Sequence, residues 1–296
     1  MENKIVVGVD GSAASGTAVR WAAQEAGRRH LGLHIVHGFR ATELYYGGGL
    51  AIPSKLIDSL REAGEQVLKD AERTARGVVE DLSISTDMPT EPPVPLLIDL
   101  SREARMIVVG HSGRSAFTGM LVGATAAMVA SHAHCPAVVV RMREDSGDLP
   151  VSGPVVVGVD GSPNSEQALA TAFEEASLRN APLVALHAWS DVTYDDFYGA
   201  SRLPSPWEAI RDEEERLLAQ RLAGWQEKYP TVEIRRELLR DRPRHALLEH
   251  SAQAQLLVVG SRGRGGFTGM LLGSTSQAMI QHAQCPVLVV RPEKAK

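Results

Sequence analysis

The chain opens with a β-branched run, Lys4 to Val9, that has no polar alternation. That pattern predicts a strand covered on both faces, as in a parallel sheet. Gly11 and Ser12 punctuate it, and Ser12 can cap an amphipathic helix from Ala13 to His30 before a second strand, Leu33 to His37. After a Gly/Tyr-rich loop at Tyr45 to Gly49, charges at helical spacing predict a long helix from Pro53 to Glu80, then a weaker strand at Leu82 to Asp87. A proline-rich stretch, Pro89 to Pro95, leads into a short helix over Leu96 to Glu103. The strand Met106 to Val109, a glycine loop, a helix from Met120 to His134 and the strand Ala137 to Arg141 follow.

The pattern then starts again. Strands are predicted at Val155 to Val159, Leu183 to His187, Val232 to Leu238, Leu256 to Val259 and Val287 to Arg291. Helices are predicted at Ser165 to Arg179, Glu208 to Lys228, Arg244 to Ala252 and Met270 to Ala283. Alternating strands and helices mean an open parallel α/β sheet, five strands to each half, in the doubly wound arrangement. The expected organisation is a first domain over 1–142, a linker over 143–153 without periodicity, and a second domain over 154–296.

The duplication is also literal. VVGxxGRxxFTGMLxG occurs from Val108 to Gly123 and from Val258 to Gly273, and IVVGVDGS at Ile5 to Ser12 matches VVVGVDGS at Val155 to Ser162. Gly110 and Gly260, like Asp10 and Asp160, stand 150 positions apart. Two blocks keeping one register make each half a complete unit, and the period is that of a domain, not of a solenoid repeat.

Composition narrows the function. A net charge of −5 offers no broad basic face to nucleic acid or anionic membrane, although a local basic loop can still hold one phosphate chain. No apolar stretch reaches the roughly 18 residues of a membrane span, and Met1 to Lys4 lead straight into a strand, so a cytoplasmic protein is expected. The two cysteines, Cys135 and Cys285, occupy equivalent positions before a proline, which excludes a disulfide framework and a CxxC site and leaves two strand-entry residues.

In an open α/β sheet, ligands sit at the carboxyl ends of strands where the strand order reverses. Two such ends are chemically loaded here. The first strand ends in Gly8, Asp10, Gly11 and Ser12, repeated as Gly158, Asp160, Gly161 and Ser162. The fourth ends in a glycine loop that reads, in the second half, Gly260, Ser261, Arg262, Gly263, Arg264, Gly265 and Gly266, followed after Phe267 to Leu272 by Gly273, Ser274, Thr275 and Ser276. Glycines let successive N–H groups converge on one anion, and a helix start adds partial positive charge. Hydrogen bonds from Ser274 and Ser276, with Arg262 or Arg264 beside them, would complete a triphosphate cradle. The helix-end contribution is only about 0.3 to 2 kcal/mol, whereas micromolar affinity is about 8 kcal/mol, so many N–H contacts and burial of a base are required. Asp10 and Asp160 would repel phosphate but accept hydrogen bonds from ribose hydroxyls or an adenine amino group. Phe39, Arg40, Trp189 and Asp191, leaving the second strands, are placed to line the base. The loop matches neither GxxxxGK[ST] nor GxGxxG.

The spacing G-x2-G-x9-G-[ST] after a hydrophobic strand, with VDGS after the first, resembles the ATP-binding branch of the universal stress protein family, and the chain looks like a tandem member. The resemblance covers both halves nearly end to end. It implies Rossmann-like domains of strand order 3-2-1-4-5, with helices on both faces of each sheet. It also implies last strands pairing across a pseudo-twofold axis, a pairing that leaves a homodimer of the tandem chain open. ATP, with or without Mg²⁺, would be bound through Gly110, Gly113 and Gly123 in the first half and Gly260, Gly263, Gly273 and Ser274 in the second, with Asp10 and Asp160 on the nucleoside side. The first half departs from the pattern: Ala124 stands where Ser or Thr is asked for, and Ser115 and Ala116, after Arg114, replace Gly265 and Gly266, with Thr125 as partial compensation. One lost hydrogen bond makes the first site weaker by about 1 kcal/mol.

Simpler explanations account for other repeated residues. Ser12 and Ser162 are helix caps whether or not they touch a ligand. His37, His187, His132 and His282 lack Cys, Asp or His partners at ligand spacing and are packing histidines rather than metal ligands. Met120 and Met270, read as opening the post-loop helices, are packing residues too. No general base stands near the phosphates in the motifs, so at most slow ATP hydrolysis is expected from a stress or dormancy regulator whose nucleotide occupancy changes its shape or its protein partner. The competing reading is an adenylate-forming or ATP-hydrolysing enzyme of the related α/β class. Those enzymes carry SGGxDS or HIGH-type signatures, where this chain has VDGS twice.

Overall fold

The computed structural model describes residues 4–39, 54–112, 123–142, 149–189, 207–264 and 271–291. The chain divides into two compact units, Met1–Arg141 and Met142–Lys296. In the first, β1 (Lys4–Gly8), β2 (Gly32–Val36), β3 (Ile84–Asp87), β4 (Met106–Gly110) and β5 (Ala137–Val140) form parallel strands in the order β3-β2-β1-β4-β5. The second repeats it with β6 (Val155–Gly158), β7 (Leu183–Ala188), β8 (Ile234–Leu239), β9 (Leu256–Gly260) and β10 (Val287–Val290), in the order β8-β7-β6-β9-β10. Each unit is the expected 3-2-1-4-5 sheet.

The central strands are the apolar runs of the sequence. Ile5, Val6 and Val7 of β1 and Leu256, Leu257 and Val258 of β9 are fully buried, which requires cover on both faces. In the first unit that cover comes from α1 (Ala13–Arg29) with α2 (Ser54–Arg76), and from α3 (Pro93–Leu100) with α4 (Ala124–His132). In the second it comes from α5 (Pro163–Arg179), α6 (Trp207–Lys228), α7 (Pro243–Ser251) and α8 (Ser274–His282).

Local chemistry sets the boundaries. Ser12 Oγ accepts from the Ser15 N–H at 3.1 Å and Ser162 Oγ from the Ser165 N–H at 3.3 Å, so both serines are the caps read from the sequence. The helices end on His30 and Asn180, both in the left-handed region, with arginines in the last turn facing the negative end of the helix dipole. Three expectations need correction. The helix expected over Leu96 to Glu103 begins at Pro93, and α5 and α7 likewise begin on prolines. Proline suits a first helical position, where its missing N–H would have had no partner. The second helix stops at Arg76, before Gly77, and not at Glu80. The helices after the glycine loops begin at Ala124 and Ser274 instead of Met120 and Met270, with Gly123 and Gly273 as extended N-cap residues.

No helix among the described residues is long and apolar enough to cross a membrane. Neither cysteine is in a disulfide, and burial pushes the Cys135 thiol up to about 12, which makes it inert at neutral pH.

Candidate functional site

In the second unit β6 lies between β7 and β9, and the strand order reverses between β6 and β9. Val155, Val156 and Val157 run in parallel register with Leu256, Leu257 and Val258, so the VDGS loop and the glycine loop leave the sheet side by side. Asp160 joins them. Its Oδ1 accepts from the Ser162 N–H at 2.9 Å and its Oδ2 from the Arg264 N–H at 2.9 Å. Burial pushes the Asp160 carboxyl up, but hydrogen bonds from Ser162, the Arg264 N–H and Ser165 outweigh it and hold the group below the ordinary carboxylate range. The contact also explains Gly263, because a Cβ there would stand 2.5 Å from Asp160 Oδ2. Gly260 is fixed by a different neighbour: its Cβ would lie 2.9 Å from Asn164 Cβ and 3.0 Å from that residue's carbonyl carbon, where the start of α5 crosses the end of β9.

The two loops line a cavity of about 610 Å³. At its β9 end stand Gly260, Arg262, Gly263, Arg264, Gly273, Ser274, Thr275 and Ser276. The later start of α8 alters what this end offers. Ser274 and Thr275 become the first turn of a helix whose N-cap, Gly273, brings no side-chain hydrogen bond, so helix-terminal N–H groups meet the cavity uncapped. Other expected donors are spent inside the protein. The Ser261 N–H donates to the Val290 carbonyl at 2.7 Å, the Gly273 N–H to the Ser261 carbonyl at 2.7 Å, and Ser276 Oγ to the Gly260 carbonyl at 2.6 Å. These bonds close the loop onto the end of β9 and tie its start to β10, and through the Gly260 carbonyl Ser276 braces the cradle.

The other end of the cavity is apolar. Leu186, Ala188 and Trp189 from the end of β7 face Pro243 and Leu247 of α7, with His187 and Glu214 between them. His187 Nδ1 donates to the Val159 carbonyl at 2.6 Å, one residue before Asp160, and its Nε2 lies 2.9 Å from Glu214 Oε2 without hydrogen-bond alignment. His187 is thus a packing histidine, as read from the sequence, and also part of the cavity wall. Two residues escaped the sequence reading. Asn164 Nδ2 donates to the Arg262 carbonyl at 2.9 Å and pins the glycine loop to α5, and Glu214 reaches the cavity from α6. The departure of the second half from the first at these positions, Asn164 for Ala14 and Glu214 for Gly64, was the available signal.

The first unit keeps the frame and lacks much of the chemistry. Asp10 Oδ1 accepts from the Ser12 N–H at 3.0 Å, His37 Nδ1 donates to the Val9 carbonyl at 2.8 Å, and the Gly123 N–H donates to the His111 carbonyl at 2.8 Å. Gly8 and Gly110 sit at strand ends as Gly158 and Gly260 do. Beside Ala124 and Thr125, however, Ala126 replaces Ser276, and Ser112 replaces Arg262. Burial, then the Arg141 charge, lowers the His111 ring below its ordinary value and favours neutral imidazole there. Gly113, Arg114, Ser115, Ala116, Arg40, Asp191, Gly265 and Gly266 lie outside the described residues.

One cluster has metal-like composition. Asp241, His245 and Glu249 line an exposed side of α7, with His245 Nδ1 2.6 Å from Asp241 Oδ2 and Nε2 3.7 Å from Glu249 Oε1. The Asp241 hydrogen bond and charge raise the His245 ring, and the same bond lowers Asp241. Two carboxylates flanking one imidazole ring form a surface ladder of hydrogen-bond and charge contacts along the start of α7.

Two doubly wound units in tandem, each with its first and fourth strands side by side at the point of strand reversal, and in the second a VDGS loop and a glycine loop meeting over a crevice there, define the class: a duplicated α/β protein. The model of the Universal stress protein family matches residues 1–141 and again 152–291, and the chain belongs to that family. It is 42% identical over 294 residues to universal stress protein Rv2623 of Mycobacterium tuberculosis (strain ATCC 25618 / H37Rv), covering 97% of this chain and 96% of that one. It is 41% identical over 293 residues to universal stress protein Rv2005c of the same strain, covering 98% and 97%. Among solved structures, a universal stress protein from Archaeoglobus fulgidus DSM 4304 superposes with a TM-score of 0.70 at 20% identity, over 99% of this chain and 97% of that one, and so shares the fold.

Proposed function

We propose that the chain is an ATP-binding regulator of a stress or dormancy response, acting in the cytoplasm, with its main nucleotide site in the second unit. The observation that carries this reading is the division of one cavity into three chemistries. An uncapped helix start with Arg262 and Arg264 suits phosphates, the Asp160 carboxylate in the middle suits ribose hydroxyls, and the apolar wall of Leu186, Trp189 and Leu247 suits a base. Ser274, Thr275, Gly263 and the two arginines would hold the phosphates, and Asp160 the sugar. Among the described residues Asp160 is the acid that contacts the loop, and both its oxygens are engaged by backbone N–H groups, which supports at most slow hydrolysis. Occupancy would act by reshaping the Asp160–Arg264 contact between the two loops.

The test is to denature the purified protein, identify any released nucleotide, and record melting with and without added ATP, in the presence and absence of Mg²⁺. The reading expects released adenine nucleotide and a melting temperature that rises with ATP concentration. Absence of both would overturn it.

A further inference from the structure

Adjacent strands lie about 4.8 Å apart, so the ends of β9, β6 and β7 set out three stations across about 10 Å. The glycine loop stands at the first, Asp160 at the second, and the His187–Trp189 wall at the third. On the nucleotide reading, which this inference rests on, the third station receives the base. Among the described residues Glu214 is the one carboxylate in that wall, carried there by α6 and one-fifth exposed. The first unit has Gly64 at this place, close enough to His37 that a Cβ would lie 3.0 Å from the ring's Cδ2.

A carboxylate in an apolar wall accepts hydrogen bonds and cannot donate them. It therefore favours a base edge that presents N–H and disfavours one that presents only a lone pair. The His187 ring stands beside it, with Nδ1–H held by the Val159 carbonyl and Nε2 2.9 Å from Glu214 Oε2 without hydrogen-bond alignment. The carboxylate therefore keeps its acceptor capacity for the base, and with adenine at this station the 6-amino group is the N–H it can receive.

We infer that Glu214 is a specificity-determining residue of the second unit, accepting a hydrogen bond from the exocyclic amino group of adenine. A site built to bond a substrate N–H rejects the analogue that lacks it, because the buried acceptor is then left without a partner.

The test measures binding of ATP and of purine riboside triphosphate, which carries hydrogen in place of the 6-amino group. It uses the intact chain and its Glu214→Gln and Glu214→Ala variants. The wild type is expected to bind ATP about tenfold or more tightly than the 6-hydrogen analogue. In Glu214→Ala the gap between ATP and the 6-hydrogen analogue should close to within about twofold, and Glu214→Gln, which keeps an acceptor oxygen, should retain part of it. An unchanged gap in Glu214→Ala, or a wild type that binds the analogue as tightly as ATP, overturns the assignment and leaves the nucleotide reading standing. Binding of neither by the wild type overturns both.

Discussion

At Gly263 the chain passes so close to Asp160 that a methyl group would meet the carboxylate oxygen at 2.5 Å. Gly263→Ala should therefore separate the Arg264 N–H from Asp160, removing a hydrogen bond to a charged group of about 1.5 to 3 kcal/mol. Urea unfolding is expected to show that loss, and calorimetric titration with ATP a weaker affinity as the loop leaves its place, while unchanged stability and affinity would mean that the Asp160–Arg264 contact does not hold the site. Asp160 also ties stability to pH. Its folded-state carboxyl lies below the ordinary value, so the unfolded chain binds more protons as pH falls from about 4. The stabilisation is fully present above that point and is lost as pH drops through the folded-state value. In urea unfolding, the advantage of the wild type over Asp160→Asn should be largest near neutrality and shrink below about pH 4. A difference that stays constant with pH would show that the carboxylate's ionisation does not matter.

The helices act on the site through their first turns. Asn164, the second residue of α5, holds the Arg262 carbonyl, and Ala14 cannot do the same in the first unit. Asn164→Ala should cost about 1 kcal/mol of stability and weaken ATP binding several-fold, read by urea unfolding and calorimetry on the same variant. Loss of stability with full affinity would make Asn164 a packing residue only. The strands and helix caps were legible in the sequence because each rests on a local signal, an apolar run or a serine before an amphipathic stretch. The start of α8 was not, because Met270 to Leu272 continue the apolar pattern and periodicity alone does not mark where backbone geometry changes at Gly273. The contact of Ser276 is equally invisible in the sequence: its hydroxyl, expected as a phosphate donor, donates to the Gly260 carbonyl at 2.6 Å. Asn164 and Glu214 act across 98 and 27 positions of chain, on the Arg262 carbonyl and beside His187 respectively, and no local spacing announces contacts of that kind.

Across the whole molecule, duplication has preserved the frame and let the sites diverge. Both units keep the strand order, the Asp after the first strand, the His–carbonyl bond behind it and the return of the loop through Gly123 or Gly273. The second unit alone combines Asn164, Glu214, Arg262, Ser274 and Ser276, where the first has Ala14, Gly64, Ser112, Ala124 and Ala126. The central claim is that these differences make the second unit the principal ATP site. Calorimetric titration of the wild type, Gly113→Glu and Gly263→Glu with ATP tests it most directly. Gly263→Glu is expected to remove the tighter binding and Gly113→Glu to leave it in place; tight binding that survives Gly263→Glu and disappears in Gly113→Glu would place the principal site in the first unit instead.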